Sequence, residues 1–253
     1  MTAQAANPEY YQFEDVNNAV VDLFRDALRR DKAAGTVLDV GCGRARLGHE
    51  IEKLGYTVIG IENSPVACEM ARTRISEVVP LNLMDIDGIA ATLQGRQFDW
   101  LLMADVLEHL PDSLGALCRY RKFLKPNGCV IISLPNVAVW DNRLRLLFGR
   151  FNYTDSGVLD RTHLRFFTFR SARQLVIDAG LTPSRTTLEP GIVRAFMPLL
   201  KGLVGGKSGG DPGALLDSPA YHLYARYFLP VEHFMARLVP GLLAFRVVIL
   251  ARN

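Results

Sequence analysis

The sequence predicts a doubly wound α/β fold around a mostly parallel sheet, and three observations carry that expectation. Short apolar runs alternate with segments of helical periodicity, the first run leads at once into a glycine-rich loop, and the second ends on an acidic residue. The composition agrees: 253 residues with 49% hydrophobic and 22% charged side chains suit one folded domain and exclude disorder, collagen and coiled coil. A chain of this length buries roughly 70 to 75% of its extended surface, so its core needs neither disulfides nor metal.

Val16, Val20, Leu23, Phe24, Ala27 and Leu28 recur at helical spacing, and TVLDV (36–40) is a short apolar run stopped by glycine, as expected of a strand buried on both faces. Leu47, Ile51 and Leu54 mark a second helix ending at Gly55. TVIGI (57–61) is the next strand, and Pro65 opens a helix through Ile75. Further strands are predicted at Val78–Leu81, Phe98–Met103 and Cys129–Leu134. Leu114, Leu117, Phe123 and Leu124 mark the helix between the last two, ended by Lys125-Pro-Asn-Gly. PNVAVW (135–140) leads into a helix through Phe148. Ala172–Ala179 is a helix ended by Gly180, a strand follows near Thr182–Leu188, and FRVVILA (245–251) is the final strand. No period of about 20 to 50 residues repeats, which excludes solenoids and propellers.

Cys42, Cys68, Cys118 and Cys129 form no CxxC pair and the histidines do not cluster in the sequence, so no metal site and no disulfide framework is signalled. Free thiols in a reducing cytoplasm are expected. The first residues, MTAQAANPEYYQFED, lack a basic segment and an apolar core, and no charge-free apolar run reaches the ~18 residues of a spanning helix. A net charge of +3 is too small to point to nucleic acid, but it is uneven, because Asp141 to Arg173 holds seven arginines against three aspartates.

Asp39-Val-Gly-Cys-Gly-Arg-Ala joins the first strand to a helix. Gly41 and Gly43 permit positive φ and close approach of a ligand to backbone. A dinucleotide fingerprint would place glycine where Arg46 stands. Glu62, at the carboxyl end of the second strand with Asn63 beside it, is placed to accept both hydroxyls of a ribose, so an adenosine-type ligand is indicated.

VLDVGCGRARLG, GIENSP and FDWLLMADVLEHLPD resemble, in order, the motifs of class I S-adenosylmethionine-dependent methyltransferases over Thr36 to Leu134. The resemblance implies a seven-stranded sheet whose last strand runs antiparallel, and S-adenosyl-L-methionine as cofactor. It places Gly41 and Gly43, in the loop with Asp39 and Cys42, at the methionine end, Glu62 on the ribose, and Asp105 beside the methionyl moiety. Either Asn82, at the family's acidic position, or Asp85 reaches the adenine amine, and Ala45 replaces the loop's third glycine. For Glu108 and His109 of LEHL (107–110), catalysis is weighed against packing or capping at the start of a helix.

The segment after the fifth strand should face the transferred methyl group. Its wording, PN…GRFNYT…GVLDRTHLRFFT, resembles a subgroup of these enzymes found with bacterial glycosyltransferases and cell-surface polysaccharide enzymes, over Pro135 to Ala179. That resemblance implies a sugar or glycolipid hydroxyl as acceptor. His163 is a candidate base with Asp160 to orient it, Tyr153 and Asp160 are lesser candidates, and a structural histidine is the alternative. Arg143, Arg145, Arg150, Arg161 and Arg165 are a solvated face or an anion site; Asn136, Arg161 and Arg165 are the candidate acceptor contacts.

The expected organisation is a helical segment or lid over residues 1–35, a core over 36–189 and 244–253 with its acceptor region at 135–173, and an apolar helical insertion at 190–243. That insertion is read as a lid, a homodimer face, or a surface touching the inner face of the membrane to collect a lipid-linked acceptor. Tyr10 and Tyr11 close over the cofactor or anchor the N-terminal segment. A small-molecule or glycan acceptor, no nucleic acid and a cytoplasmic location are expected. The rival readings are a nicotinamide-dependent oxidoreductase and a cofactor-binding partner subunit without turnover.

Overall fold

The computed structural model describes residues 16–28, 34–191, 224 and 226–253. Tyr10, Tyr11, the insertion's apolar stretch at 192–203 and the glycine-rich GGKSGGDPG (205–213) lie outside the described residues.

The chain runs α1 (Asn18–Leu28), β1 (Thr36–Val40), α2 (Arg46–Glu52), β2 (Thr57–Ile61), α3 (Pro65–Ala71), β3 (Glu77–Val79), α4 (Ile86–Leu93) and β4 (Phe98–Ala104). A 3₁₀ turn (Leu107–His109) leads to α5 (Ser113–Tyr120), β5 (Leu124–Pro135), α6 (Trp140–Leu147), α7 (Phe169–Asp178) and β6 (Thr182–Pro190); α8 (Leu229–Leu238), α9 (Pro240–Leu243) and β7 (Ala244–Arg252) close it. The seven strands form one sheet in the order β3-β2-β1-β4-β5-β7-β6, and only β7 runs antiparallel to its neighbours β5 and β6. Parallel neighbours require crossover helices, which cover both faces of the sheet.

The central strands β1, β2 and β4 are apolar on both faces. Leu38, Val40, Ile59, Ile61, Leu101 and Met103 pack with α4, α5 and α7, whereas Val37, Val58, Trp100 and Leu102 pack with α1, α2 and α3. Phe24 of α1 anchors the second layer, its ring 5.0 Å from Tyr56 and 4.6 Å from Trp100. Burial of such a side chain contributes roughly 1.5–3 kcal/mol.

Side-chain caps set the helix starts that face the site. Ser64 caps α3, Asp85 caps α4, Asp112 caps α5, and Thr168 with Ser171 forms a capping box on α7. Some elements depart from the sequence expectation: α3 stops at Ala71 short of Ile75, and β3 spans Glu77–Val79 in place of Val78–Leu81. Helix α4 lies in a stretch to which the sequence reading assigns no element; it forms because Asp85 accepts a hydrogen bond from the Gly88 amide at 3.0 Å and starts a helix within DIDGIAATL. Strand β5 begins at Leu124, through the Lys125-Pro-Asn-Gly stop, with Asn127 at φ 64° and a register shift against β4 between Phe98 and Trp100.

Two exposed apolar surfaces lie beyond the core: the end of α6, with Leu147 and Phe148 78% and 71% exposed, and the face of α8 carrying Phe228, Val231, Phe234 and Leu238. No helix among the described residues is long and apolar enough to cross a membrane.

Gly60 sets the depth of the glycine loop. A Cβ there would lie 2.5 Å from Cys42 Sγ and 2.7 Å from Ile75 Cδ1. Gly60→Ala is therefore expected to destabilise the fold by about 1–3 kcal/mol in urea denaturation, and Cys42→Ala in the same chain should recover part of the loss.

Candidate active site

The loop after β1 is held to the end of β2 by backbone and by one carboxylate. The Gly41 and Cys42 amides donate to the Ile61 carbonyl at 2.8 and 3.1 Å. Glu62, buried at the strand end, accepts from the Gly43 amide at 3.1 Å through Oε2, and from the Asn63 and Ser64 amides at 2.9 and 2.8 Å through Oε1. Gly41, Gly43 and Ala45 have φ of 70°, 52° and 55°. Glycine adopts this conformation freely, whereas in alanine it costs roughly 1–2 kcal/mol. Asp39 is buried below the loop, and the Cys42 side chain packs in the core against Gly60 instead of lining the mouth. Asn63 is exposed at the rim.

At the end of β3, both candidates for the adenine side make local backbone contacts. Asn82 Oδ1 accepts from the Met84 amide at 2.9 Å, while Asp85 is committed to the α4 cap.

Asp105 follows β4 with φ 56°. Its Oδ1 accepts from Ser133 Oγ at 2.8 Å, and Arg246 Nε of β7 lies 3.1 Å away in an ion pair whose angle falls short of a hydrogen bond. Arg246 also donates to Glu189 Oε2 of β6 at 2.8 Å. Burial works against the guanidinium charge, but the carboxylates of Asp105, Glu189 and Glu108 outweigh it and raise its pKa. Asn17 Nδ2 donates to Ser133 Oγ at 2.9 Å, bringing the start of α1 to the same point.

The segment 158–165 docks onto the 3₁₀ turn, with the Leu164 and Arg165 amides donating to the Glu108 carbonyl at 2.8 and 3.0 Å. Glu108, His109 and His163 thereby meet, their ligand-type atoms all within 4.8 Å of one another. The turn is separate from α5, which starts later under the Asp112 cap, so Glu108 caps no helix. The residue is 1% exposed, and its buried Oε2 has no hydrogen-bond partner. Burial first, and then the charge of Asp105, push its pKa well up. Burial also lowers both imidazole pKa values, with His163 adding to the shift at His109.

A carbonyl only accepts, so the contacts of the two rings define their tautomers. His163 Nδ1 donates to the Val158 carbonyl at 3.1 Å, and His109 Nδ1 faces the Thr162 carbonyl at 3.3 Å and Thr162 Oγ1 at 3.1 Å. In the neutral rings the lone pairs therefore sit on Nε2. Asp160 meets His163 through backbone, its carbonyl accepting from the His163 amide at 3.1 Å, and no bond joins its carboxylate to the ring; Oδ1 accepts instead from Thr162 N at 2.8 Å and Thr162 Oγ1 at 2.6 Å. Asp160 thus shapes the turn, and the Val158 carbonyl orients the imidazole.

The remaining acceptor-side candidates divide. Tyr153 is 53% exposed, in an aromatic group with Phe151 and Phe166, and Phe166 lies 6.3 Å from the His163 ring. Asn136 is fully buried and uses its amide on backbone instead, donating to the Ala244 carbonyl at 2.7 Å and accepting from the Ala138 amide at 3.1 Å. Arg161 is exposed and pairs with Asp155 at 2.7 Å, and Arg165 is also exposed. Arg143 is spent on the Ala138 and Gly241 carbonyls, and Arg145 lies 3.7 Å from Asp141. The sequence reading missed Asn17, Ser133, Glu189 and Arg246; the only local signal was a charge inside the apolar run FRVVILA.

The carboxylate at the end of β2, the glycine loop and Asp105 lie at successive carboxyl ends of β2, β1 and β4, where a doubly wound sheet binds its ligand. Residues 12–185 match the model of a family described as a methyltransferase domain. A ubiquinone biosynthesis O-methyltransferase of Thiobacillus denitrificans is 34% identical over 111 residues, 43% of this chain and 47% of the relative; one from Histophilus somni is 33% identical over 106 residues, 40% and 44% of the two. The chain thus spans about half the length of the curated relatives it matches. A SAM-dependent methyltransferase structure from Archaeoglobus fulgidus matches with TM-score 0.58 and 16% identity, covering 93% of this chain and 94% of that one. A putative sarcosine dimethylglycine methyltransferase from Galdieria sulphuraria matches with TM-score 0.58 and 17% identity, covering 98% and 89%. Such identities speak to the fold, and the family match covers well over half of the chain. The chain belongs to the class I S-adenosylmethionine-dependent methyltransferases, and S-adenosyl-L-methionine is its cofactor.

Proposed function

We propose that this chain methylates a hydroxyl oxygen of a small, negatively charged acceptor, a sugar or glycolipid precursor, bound where 158–165 meets the 3₁₀ turn. One observation carries the reading: His163 holds its proton on Nδ1 against the Val158 carbonyl, which leaves the lone pair on Nε2, and the residue meets Glu108 and His109 with ligand-type atoms within 4.8 Å. The wording of residues 135–179 supports a sugar. The names of the curated relatives favour a second acceptor class, a phenolic hydroxyl of a ubiquinone precursor.

In this reading Glu62 holds the ribose, the Gly41 to Gly43 backbone and Asp105 hold the methionine end, and Asn63 with Asn82 or Asp85 lines the adenosine. The cofactor supplies an already activated methyl group. The chain's contribution is alignment of the acceptor oxygen with the methyl carbon and removal of its proton. The oxygen forms the new bond to carbon as the carbon–sulfur bond breaks, and the hydroxyl proton passes to His163 Nε2. Tyr153 and the exposed arginines Arg161 and Arg165 flank the entrance. Peripheral contact with lipid through α8 and self-association through the same apolar face are alternatives for how a lipid-linked acceptor arrives.

Transfer of labelled methyl to a panel of nucleotide-diphosphate sugars and of catechol-type phenols tests the acceptor class; labelled phenol without labelled sugar would overturn the sugar reading. His163→Gln should lower kcat by about 100-fold or more while adenosylhomocysteine affinity stays unchanged, by calorimetry. Arg161→Ala with Arg165→Ala should raise the acceptor KM about tenfold, modest because both side chains are solvated; an unchanged KM contradicts an anionic acceptor.

A further inference from the structure

We propose that Glu108, His109 and His163 bind one divalent transition-metal ion, with zinc the ion the donor set fits best, and that this ion holds the acceptor hydroxyl; the second half of the inference rests on the methyl-transfer reading above.

Three independent features point to a ligand. The first is the donor set: two imidazoles and one carboxylate come from two segments distant in the chain and meet within 4.8 Å. Three ligands about 2.1 Å from one ion lie roughly 3–4 Å apart, so closure by about 1 Å through side-chain rotation completes the set. The second feature is the orphaned carboxylate. Glu108 Oε2 is inaccessible and without a hydrogen-bond partner, although burying an unmatched polar atom costs about 1–3 kcal/mol. A cation at the cluster removes that cost. The third is the outer shell. Metal-bound imidazoles usually donate their other N–H to a carbonyl or carboxylate, which fixes the ring and directs the lone pair to the ion. Here His163 Nδ1 is held by the Val158 carbonyl, His109 Nδ1 by Thr162, and Thr162 in turn by Asp160. An imidazole pair built only for packing has no need of both rings being turned in this way.

Two histidines and one glutamate are a donor set of borderline softness suited to zinc, and three protein ligands leave a position open for substrate. The acceptor hydroxyl fits that position. Oxygen bound to a divalent ion loses its proton near neutral pH instead of far above it. The proton goes to solvent, the oxyanion attacks the methyl carbon, and the carbon–sulfur bond breaks with its electron pair retained on sulfur, turning the sulfonium into a thioether. No electron transfer is involved and the ion keeps its charge. In the metal-bound form His163 is a ligand and the ion takes over its part in proton loss.

The test is zinc uptake by the purified full chain, stripped with a chelator and then titrated against a chromophoric zinc indicator, with cobalt as a visible spectroscopic probe. The expected result is one equivalent of zinc per chain, weakened at least tenfold by Glu108→Gln and by His163→Asn and unchanged by His233→Asn, whose histidine lies on α8 and contacts the Leu229 carbonyl. Cobalt bands should appear in the wild type and disappear in the first two variants. Glu108→Gln preserves shape, so it carries the test if the histidine variant folds poorly. Absence of stoichiometric uptake, or equal uptake by all four proteins, overturns the site. Adenosylhomocysteine titrated into the same samples keeps the two readings apart: binding of adenosylhomocysteine without zinc overturns the metal site alone.

Discussion

The Glu62 carboxylate is the interaction on which the cofactor end of the molecule depends. It accepts amide protons from the loop after β1 and from the turn after β2, and so joins two neighbouring strand ends. Hydrogen bonds to a carboxylate contribute about 1.5–3 kcal/mol each when shielded from water, enough to hold Gly43 and Ala45 in left-handed conformations next to the sheet. The bare Cα of Gly60 completes the arrangement from below, since it lets Cys42 drop into the core and sets the height of the loop.

A second constraint governs the acceptor end. Asp105, Glu108 and Glu189 bring three carboxyl groups around the guanidinium of Arg246, and Ser133 and Asn17 add neutral donors. The antiparallel β7 makes this possible: its reversed direction puts Arg246 opposite Pro135 and Glu189, at the ends of β5 and β6 where the site opens. One guanidinium opposite three carboxyls leaves the region rich in negative charge, and burial together with the charge of Asp105 pushes the Glu108 pKa well up. The same imbalance favours a cation, whether a metal ion or the sulfonium of the cofactor.

The cofactor half was legible in the sequence because its determinants are local. A glycine loop, an acidic strand end and apolar runs bounded by glycine each act over a few residues, and TVLDV and TVIGI form β1 and β2 at the expected bounds. The acceptor half depends on long-range contacts, and there the reading weakens. His163 was visible as a titratable residue, but its partner is a carbonyl, which no sequence pattern reports; Asp160 turned out to serve Thr162. Asn136 looked like a ligand contact and is a buried brace between the β5 end and β7. Arg246 and the meeting of Glu108 with two histidines exist only once β7 and the 158–165 segment have docked. Helix α4, to which the sequence reading assigns no element, starts on a local cap in which Asp85 accepts from the Gly88 amide.

The most direct measurement is the affinity of adenosylhomocysteine for the wild type and for Glu62→Gln, by calorimetry, with circular dichroism to show that both are folded. The amide of glutamine replaces an acceptor oxygen with a donor facing backbone amides, so binding should weaken at least tenfold while Glu62→Asp retains part of it. Equal affinity of wild type and Glu62→Gln would contradict the placement of the cofactor at the ends of β1 and β2.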